Sequence, residues 1–219
     1  MSDTRSIVRF FVVVWLLLAL CVLGAVLSTD KLALHAAINA HHAPWADAFF
    51  RAFTHVGDGL VPTALALILL FTKDVRSFMM LGLSAALSAI IVQTLKRTVF
   101  ADHDRPGMFR EALGDMQWVP GVDQMNHFSF PSGHSTCAFS MCLALAVILG
   151  AHRWVLPCVL FAVLLALSRV YLSQHFTEDV LAGSALGTIT AVGVHHWLYR
   201  SAFAAKPWLS RRPFVRQNQ

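Results

Sequence analysis

The sequence predicts an all-α fold, a polytopic membrane helical bundle of six transmembrane helices plus one interfacial amphipathic helix. Of the 219 residues, 57% are apolar and 13% are charged, whereas soluble domains have about 25% charged residues. Short polar stretches separate long apolar runs. No repeat and no Pro/Gly/Ser-rich linker divides the chain, so we expect a single integral-membrane domain over residues 1–219.

The formal net charge of +5 would be compatible with nucleic-acid binding in a soluble protein. Here the Lys and Arg residues lie at the ends of apolar segments and do not form one basic face, a pattern typical of membrane topology. We therefore expect no nucleic-acid partner.

Residues 10–27 form the first predicted span, and Arg5 and Arg9 precede it. A span needs about 20 apolar residues. The run is too long for the apolar core of a typical signal peptide, so we expect a retained helix.

Residues 31–56 differ from the spans, because Trp45, Phe49 and Phe53 follow the period of an amphipathic helix. This pattern predicts a helix that lies in the membrane interface. The histidines of this segment lack the carboxylates or cysteines that would complete a metal site, and we expect them to be solvated or interfacial. They are His35, His41, His42 and His55.

The longest polar stretch, residues 96–130, separates the third predicted span from the fourth. Such a loop in a compact protein is usually functional or disordered. Gly183 and Gly187, four residues apart, predict close packing of the last helix. The five further predicted spans are 60–72, 77–95, 131–150, 154–170 and 180–199.

Six spans place both termini on one side of the membrane, and that side holds the larger share of the 17 Lys and Arg residues, including a basic tail over 200–219. The positive-inside rule therefore predicts cytoplasmic termini. The 96–130 loop, Pro131 and the 169–175 segment then meet at the outer face. Compactness and charge asymmetry favour a bacterial cytoplasmic (inner) membrane.

His175 and Asp179 interrupt a very apolar run, and ionisable groups at a membrane boundary predict a functional site. Their four-residue separation stacks them on one face of a helix. Asp179 could accept a hydrogen bond from one ring nitrogen of His175 and leave the other with its lone pair directed outward. This arrangement is typical of an oriented nucleophile or general base.

Arg169 lies six residues before His175, which is about 240° around a continuous helix. The two side chains would converge only across a turn, so we expect Arg169 to end one helix and His175 to begin the next. An arginine and a histidine brought together in this way favour a phosphate ligand.

Residues 131–134, Pro-Ser-Gly-His, open the fourth predicted span. A helix N-terminus binds anions through its free N–H groups and dipole. Ser132 could add a hydroxyl, Gly133 permits close approach to the backbone, and His134 could protonate a departing oxygen. Taken alone, a proline-led cap with one histidine is more often a plain helix start.

Lys96 closes the third predicted span, and Arg105-Pro106 follows in the loop. Together with Arg169 they provide three cations for the oxygens of a phosphoryl group. Lys96 alone would be an ordinary interface anchor.

Together these residues resemble the three-part signature of the type 2 phosphatidic acid phosphatase family, whose site is shared with vanadium haloperoxidases and bacterial acid phosphatases. The second part (131–134) and the third part (168–179) match in full. In the first part, the residues 97–104 separate Lys96 from Arg105, two more than is usual in the family. The motif-bearing core spans 96–179, and the six-span layout extends the resemblance over most of the chain.

The resemblance implies that His175 attacks phosphorus and forms a phosphohistidine, oriented by Asp179. His134 would protonate the leaving oxygen and then activate the water that releases phosphate. It also implies no metal, no cofactor and inhibition by vanadate. The implied phosphate-binding residues are Lys96, Arg105, Ser132, Gly133 and Arg169.

A site at the outer face favours a substrate held by its lipid tail: an isoprenyl pyrophosphate, phosphatidylglycerol phosphate, phosphatidate or a phosphorylated glycolipid. One alternative is a lipid phosphotransferase that uses the same phosphohistidine and a different acceptor. Another is a non-enzymatic membrane binder or transporter, which would need ionisable residues in the middle of spans. The sequence leaves the lipid and the oligomeric state open.

Overall fold

In the computed structural model, which describes residues 4–214, the regular elements are helices and no strand is present. The all-α prediction is confirmed. Within these residues, five short 3₁₀ helices accompany the α-helices, at Thr54–Gly57, Pro106–Phe109, His152–Trp154, Ala202–Ala205 and Pro207–Ser210. The α-helices are α1 (Thr4–Ser28), α2 (Lys31–Ile38), α3 (Pro44–Phe53), α4 (Leu60–Thr72), α5 (Val75–Thr98), α6 (Gly133–Leu149), α7 (Val155–Tyr171) and α8 (Thr177–Arg200).

Three described segments are long and apolar enough to cross a membrane, namely Thr4–Ser28, Val75–Thr98 and His152–Tyr171. A fourth is obtained if Pro44–Gly57 and Leu60–Thr72, bent by 54°, form one broken span. Of the other predicted spans, α6 is apolar but has 17 residues, and a straight span needs about 20. The α8 helix has 24 residues, but several are Gly, Ser, Thr and His.

The centre of the bundle is α6, which packs against α5, α7 and α8. Most of its side chains are buried around the whole circumference, as expected for a helix that is apolar or small-residued on every face. The contact with α8 depends on glycine. A Cβ at Gly183 would lie 2.5 Å from the carbonyl oxygen of Ser132, and one at Gly187 would clash with the carbonyl oxygen of Thr136. The predicted close packing at these glycines is confirmed.

The single interfacial helix predicted over 31–56 is wrong in one respect, because the segment forms two helices, α2 and α3. Asn39 caps the end of α2, and Pro44 stands in the first turn of α3. The predicted apolar stripe faces outward at Trp45 and Phe49. The buried side of α3 includes Phe50, whose ring centroid lies 4.5 Å from that of Tyr171 in α7.

The basic tail predicted over 200–219 begins as α8 ends, and it folds back on the start of α5. Arg76 donates a hydrogen bond from Nη2 to the carbonyl oxygen of Ala204 (2.7 Å), and Leu209 is fully buried. Residues 215–219, with Arg216, lie outside the described residues, as do residues 1–3.

Candidate active site

The α7–α8 connection, residues 172–176, forms the turn that carries His175. The carbonyl oxygen of Arg169 accepts the backbone N–H groups of Gln174 (2.9 Å) and His175 (3.2 Å). The predicted turn is present, but its boundaries were wrong. The helix α7 continues past Arg169 to Tyr171, and His175 precedes the first residue of α8. The left-handed conformation of Ser173 (φ 52°) reverses the chain between the two helices.

His175 and Asp179 form a buried pair with a distance of 3.3 Å between Nδ1 and Oδ2. The same carboxylate oxygen accepts the backbone N–H of Phe176 (2.8 Å) and the hydroxyl of Ser129. Ser129 Oγ also lies 3.4 Å from Nδ1 of His175. Within residues 4–214, the hydrogen bonds of the His175 ring are confined to Nδ1, which leaves Nε2 for another partner.

The imidazole of His175 lies in a buried and positively charged environment. Burial lowers its pKa well below the ordinary value, and the nearby cations Arg105, Lys96 and Arg169 lower the pKa further. Both effects favour the neutral ring. At neutral pH His175 therefore has a lone pair on one nitrogen, as a nucleophile requires.

Lys96 and Arg105 converge on one carbonyl oxygen despite their longer spacing. The carbonyl of Phe128 accepts Nζ of Lys96 (2.8 Å) and Nη2 of Arg105 (3.4 Å). Arg105 further donates from Nε to the carbonyl of His127 (2.9 Å) and from Nη1 to that of Gln174 (3.1 Å). The two additional residues are thus accommodated in the loop, and both cations remain beside the turn of His175.

Arg169 is the third cation, and it is buried at the end of α7. Its Nη1 donates to Oγ1 of Thr54 at 2.6 Å. Its Nε is buried and has no hydrogen-bond partner among residues 4–214. An unpaired buried donor is costly, and this one is suited to bind an anionic oxygen.

The 131–134 motif begins α6 and lies against the first turn of α8. Ser132 is the N-cap, and its backbone N–H donates to the carbonyl of Asp179 (2.9 Å). Its buried hydroxyl oxygen accepts the hydroxyl of Ser135 (3.0 Å). A Cβ added at Gly133 would have no atom within 4 Å, so the backbone is approachable there.

His134 forms a second pair with a carboxylate, at 2.9 Å between Nε2 and Oδ1 of Asp58. This pair is partly exposed, with 27% of the His134 side chain and 40% of the Asp58 side chain accessible to solvent. The structure therefore brings His134, Lys96, Arg105 and Arg169 near His175, and all four influence it electrostatically.

Three residues of the site were missed in the sequence: Thr54, Asp58 and Ser129. Thr54 and Asp58 lie in the bend between α3 and α4, far from the three motifs in sequence. The only available signal was a polar Asp between two glycines before an apolar run. Ser129 precedes the 131–134 motif by two residues, and nothing in its spacing indicated a contact with Asp179.

The described residues 4–214 contain no group of three or more His, Cys, Asp and Glu side chains placed to hold a metal ion. The positive groups of the site are instead the three cationic side chains and the N-terminus of α6. Their charge and free donors suit a multiply charged oxyanion.

Comparison with known proteins gives a consistent result. Residues 77–203 match the family model described as PAP2 superfamily. The chain is 31% identical over 100 residues to the lipid A 1-phosphatase of Rhizobium etli, a match covering 46% of this chain and 41% of that protein. It is 28% identical over 183 residues to phosphatidylglycerophosphatase B of Bacillus subtilis, covering 76% of this chain and 81% of that protein.

Among solved structures, that of Aquifex aeolicus LpxE is similar, with a TM-score of 0.63 and 28% identity over 75% of this chain and 93% of that chain. The match to the Rhizobium etli relative spans about two fifths of that protein's length.

Proposed function

The chain belongs to the PAP2 superfamily, and from that premise we propose that it is a membrane lipid phosphate phosphatase that acts through a phosphohistidine on His175. The observation that supports this most directly is the buried His175–Asp179 pair surrounded by three cations. A neutral histidine whose Nδ1 is held by a carboxylate has Nε2 available as a nucleophile.

In the first step, Nε2 of His175 attacks phosphorus while the bond from phosphorus to the leaving oxygen breaks. His134 gives its proton to that oxygen, so the leaving group departs as a neutral alcohol or as a protonated phosphate ester. Asp179 stabilises the positive charge that develops on the His175 ring through Nδ1.

In the second step, His134, now neutral, takes a proton from a water molecule that attacks phosphorus of the phosphohistidine. The bond from phosphorus to Nε2 breaks, and inorganic phosphate leaves. Asp58 lies 2.9 Å from Nε2 of His134, where it can orient the ring in both steps.

Charge on the phosphoryl oxygens would be stabilised by Lys96, Arg105, Arg169 and the N-terminus of α6 at Gly133. Preorganised donors of this kind supply most of the catalysis in phosphoryl transfer. The hydroxyl of Ser132 caps α6. Ser132 therefore contributes by holding the N-terminus of this helix in place at the phosphate-binding site.

The site lies beside the ends of α5, α6 and α7, which suits a substrate whose chain stays in the bilayer while its headgroup reaches the cations. We propose a lipid phosphomonoester or pyrophosphate as the substrate, and the outer face of the inner membrane as the place of action. A reporter fused within residues 96–130 tests this topology, and a cytoplasmic signal would contradict it.

The activity is tested by phosphate release from a panel of lipid phosphates by detergent-purified protein, in the presence of chelator. We expect release from at least one lipid and its loss in His175→Ala. The matched control is His152→Ala, an exposed histidine in the α6–α7 connection, which should retain activity.

No release from any lipid, or equal release by His175→Ala, would contradict the proposed phosphatase. Transfer of the phosphoryl group to a second lipid without free phosphate would instead identify a phosphotransferase.

A further inference from the structure

The short helix α2 directs one face at the turn that bears His175. Lys31, His35 and Asn39 follow one another at intervals of four residues, which places them on the same side of a helix. All three contact residues between Val170 and Glu178. The side chain of Asp30 caps α2 by accepting the N–H groups of Leu32 and Ala33, so the helix has a defined start.

His35 contacts residues on both sides of His175 in the sequence. Its Nε2 lies 3.1 Å from Oγ of Ser173. Its ring packs edge-on against Phe176 with a centroid distance of 5.2 Å. His35 is 1% exposed, and burial lowers its pKa to about 4, opposed by the charge of Asp179. The ring is therefore neutral at pH 7.

Asn39 and Lys31 extend this contact at the two ends of α2. Asn39 donates from Nδ2 to the carbonyl oxygen of Val170 (3.1 Å), the residue after Arg169. Lys31 pairs with Glu178 (2.8 Å) and lies 4.1 Å from the ring centroid of Phe176. The α2 face thus contacts the chain just after Arg169 and just after His175.

Packing alone does not account for the polar side chains of His35 and Asn39 in this contact. Nδ1 of His35 and Oδ1 of Asn39 are buried and have no hydrogen-bond partner within residues 4–214. Burying such an atom without a partner is costly, whereas apolar side chains of similar size would pack without that penalty. The unpaired atoms are tolerated because the opposite ends of both side chains hold the turn.

The turn also needs external support, because Ser173 has a φ of 52° without being glycine. A non-glycine residue in this conformation is sterically strained and persists where its surroundings fix it. The hydrogen bond to His35 is one such constraint.

We propose that α2 is a positioning clamp, in which His35 and Asn39 hold residues 170–176 so that Nε2 of His175 faces the phosphate-binding cations. The inference rests on the proposed phosphohistidine function of the same site. His35 and Asn39 touch no reacting atom, so they act through the turn and are positioning residues.

The experiment compares His35→Ala and Ser173→Gly with the control His41→Ala, an exposed histidine of the same segment. Glycine tolerates the φ of Ser173, so Ser173→Gly removes the hydroxyl and leaves the backbone conformation accessible. We expect kcat to fall about 10- to 100-fold in both test variants with KM within about twofold, because small misplacement of a reacting group has this effect.

Two further measurements separate positioning from general stability. His35→Gln, whose amide reaches the place of Nε2, should recover a large part of kcat. The double variant His35→Ala/Ser173→Gly should lose no more kcat than the more impaired single variant, because both substitutions remove the same His35–Ser173 hydrogen bond. Unchanged kcat in Ser173→Gly, or equal losses in His35→Ala and His35→Gln, would overturn the clamp.

Hydrogen exchange gives a readout that does not depend on activity. The backbone N–H groups of Gln174 and His175 bond to the carbonyl of Arg169, and they should exchange faster in His35→Ala and Ser173→Gly than in His41→Ala. Unchanged exchange would overturn the clamp even in an active enzyme. Failure of the wild type to release phosphate, with faster exchange in the variants, would contradict only the proposed function.

Discussion

The site contains two histidine–carboxylate pairs that differ in burial. In the His175–Asp179 pair, 2% and 1% of the side chains are exposed, and the atoms are 3.3 Å apart. In the His134–Asp58 pair, 27% and 40% are exposed, and the distance is 2.9 Å. The first pair is shielded from water by the protein, and the second is in contact with solvent.

This difference suits the two chemical roles proposed for His175 and His134. Asp179 is held by Ser129 and the N–H of Phe176 as well as by His175, so its position and that of the ring are fixed. A fixed and neutral ring suits a nucleophile. His134 is only partly exposed, but its contact with solvent allows proton exchange with water, which suits a group that gives and takes a proton in each turnover.

Replacing the buried carboxylate should have the largest effect. Asp179→Asn would present an amide to Nδ1 of His175 and favour the wrong tautomer, and we expect kcat to fall on the order of 10⁴-fold. Initial rates of phosphate release at saturating lipid measure it. The control is Asp104→Asn, whose carboxylate pairs with the exposed His127 in the 96–130 loop. A loss below tenfold would mean that burial, and not the carboxylate, fixes the ring.

Replacing His134, the partly exposed histidine, should have a smaller effect that depends on the substrate. His134→Ala should slow cleavage of a lipid phosphate about 10³-fold, within the range of general acid–base catalysis. Nitrophenyl phosphate needs no proton on its leaving oxygen, so the first-turnover burst of nitrophenolate should be reduced much less. Equal reductions for both substrates would assign His134 to phosphate binding.

The contrast between the pairs also explains what the sequence could predict. His175 and Asp179 are separated by three residues, and local spacing was sufficient to predict their contact. The same sequence pattern could not place the helix start, because α8 begins only at Thr177 after a left-handed Ser173. The pair itself forms across the turn and the first residues of the helix.

Asp58 and Thr54 could not be predicted from spacing, because their contacts with His134 and Arg169 depend on tertiary packing. They lie at a bend of 54° between Pro44–Gly57 and α4. A bend of this kind leaves no periodic signal. For the same reason His35 was predicted to be solvated or interfacial, whereas the packing of α2 on the 170–178 segment buries it.

The fold was predictable where the apolar signal is strong and local. The helices α1 and α5 are both long and apolar enough to cross a membrane, as predicted. The difference between six predicted spans and three or four apolar ones comes from α6, which has only 17 residues, and from α8, which is less apolar. In α8, Gly187, Thr188 and His195 are buried against other helices. The hydropathy of these residues therefore does not indicate whether α8 crosses the membrane.

Asp58→Asn should give a smaller loss, of about tenfold, because it removes the orientation of His134 but leaves the imidazole able to transfer protons. As for His134→Ala, the loss should be much smaller for the nitrophenolate burst with nitrophenyl phosphate than for cleavage of a lipid phosphate. The control is His55→Ala, since His55 Nδ1 also contacts Asp58 (3.0 Å) but is 72% exposed. A full 10³-fold loss in Asp58→Asn would mean that the carboxylate itself contacts the substrate.

The smallest expected change is the response of His175 to acid. An ordinary imidazole, with a pKa of about 6.5, would be about ten parts protonated to one neutral at pH 5.5, and a nucleophile would lose rate in proportion. Burial lowers the pKa of His175 well below 6.5, with Arg105 contributing next. The ring therefore stays neutral. The rate of the nitrophenolate burst from nitrophenyl phosphate, corrected for ionisation of that substrate, should change less than about twofold between pH 7 and 5.5.

Arg105→Gln tests the direction in which the Arg105 cation shifts the pKa of His175. Loss of the cation raises the pKa of His175 towards 6.5, so the fall in rate at low pH should begin at a higher pH than in the wild type, whatever the absolute rate. A wild-type fall centred near pH 6.5, unaffected by Arg105→Gln, would show that His175 titrates as a solvated histidine. The buried His175–Asp179 pair would then titrate no differently from a partly exposed pair such as His134–Asp58. The assignment of His175 as the neutral nucleophile would be lost as well.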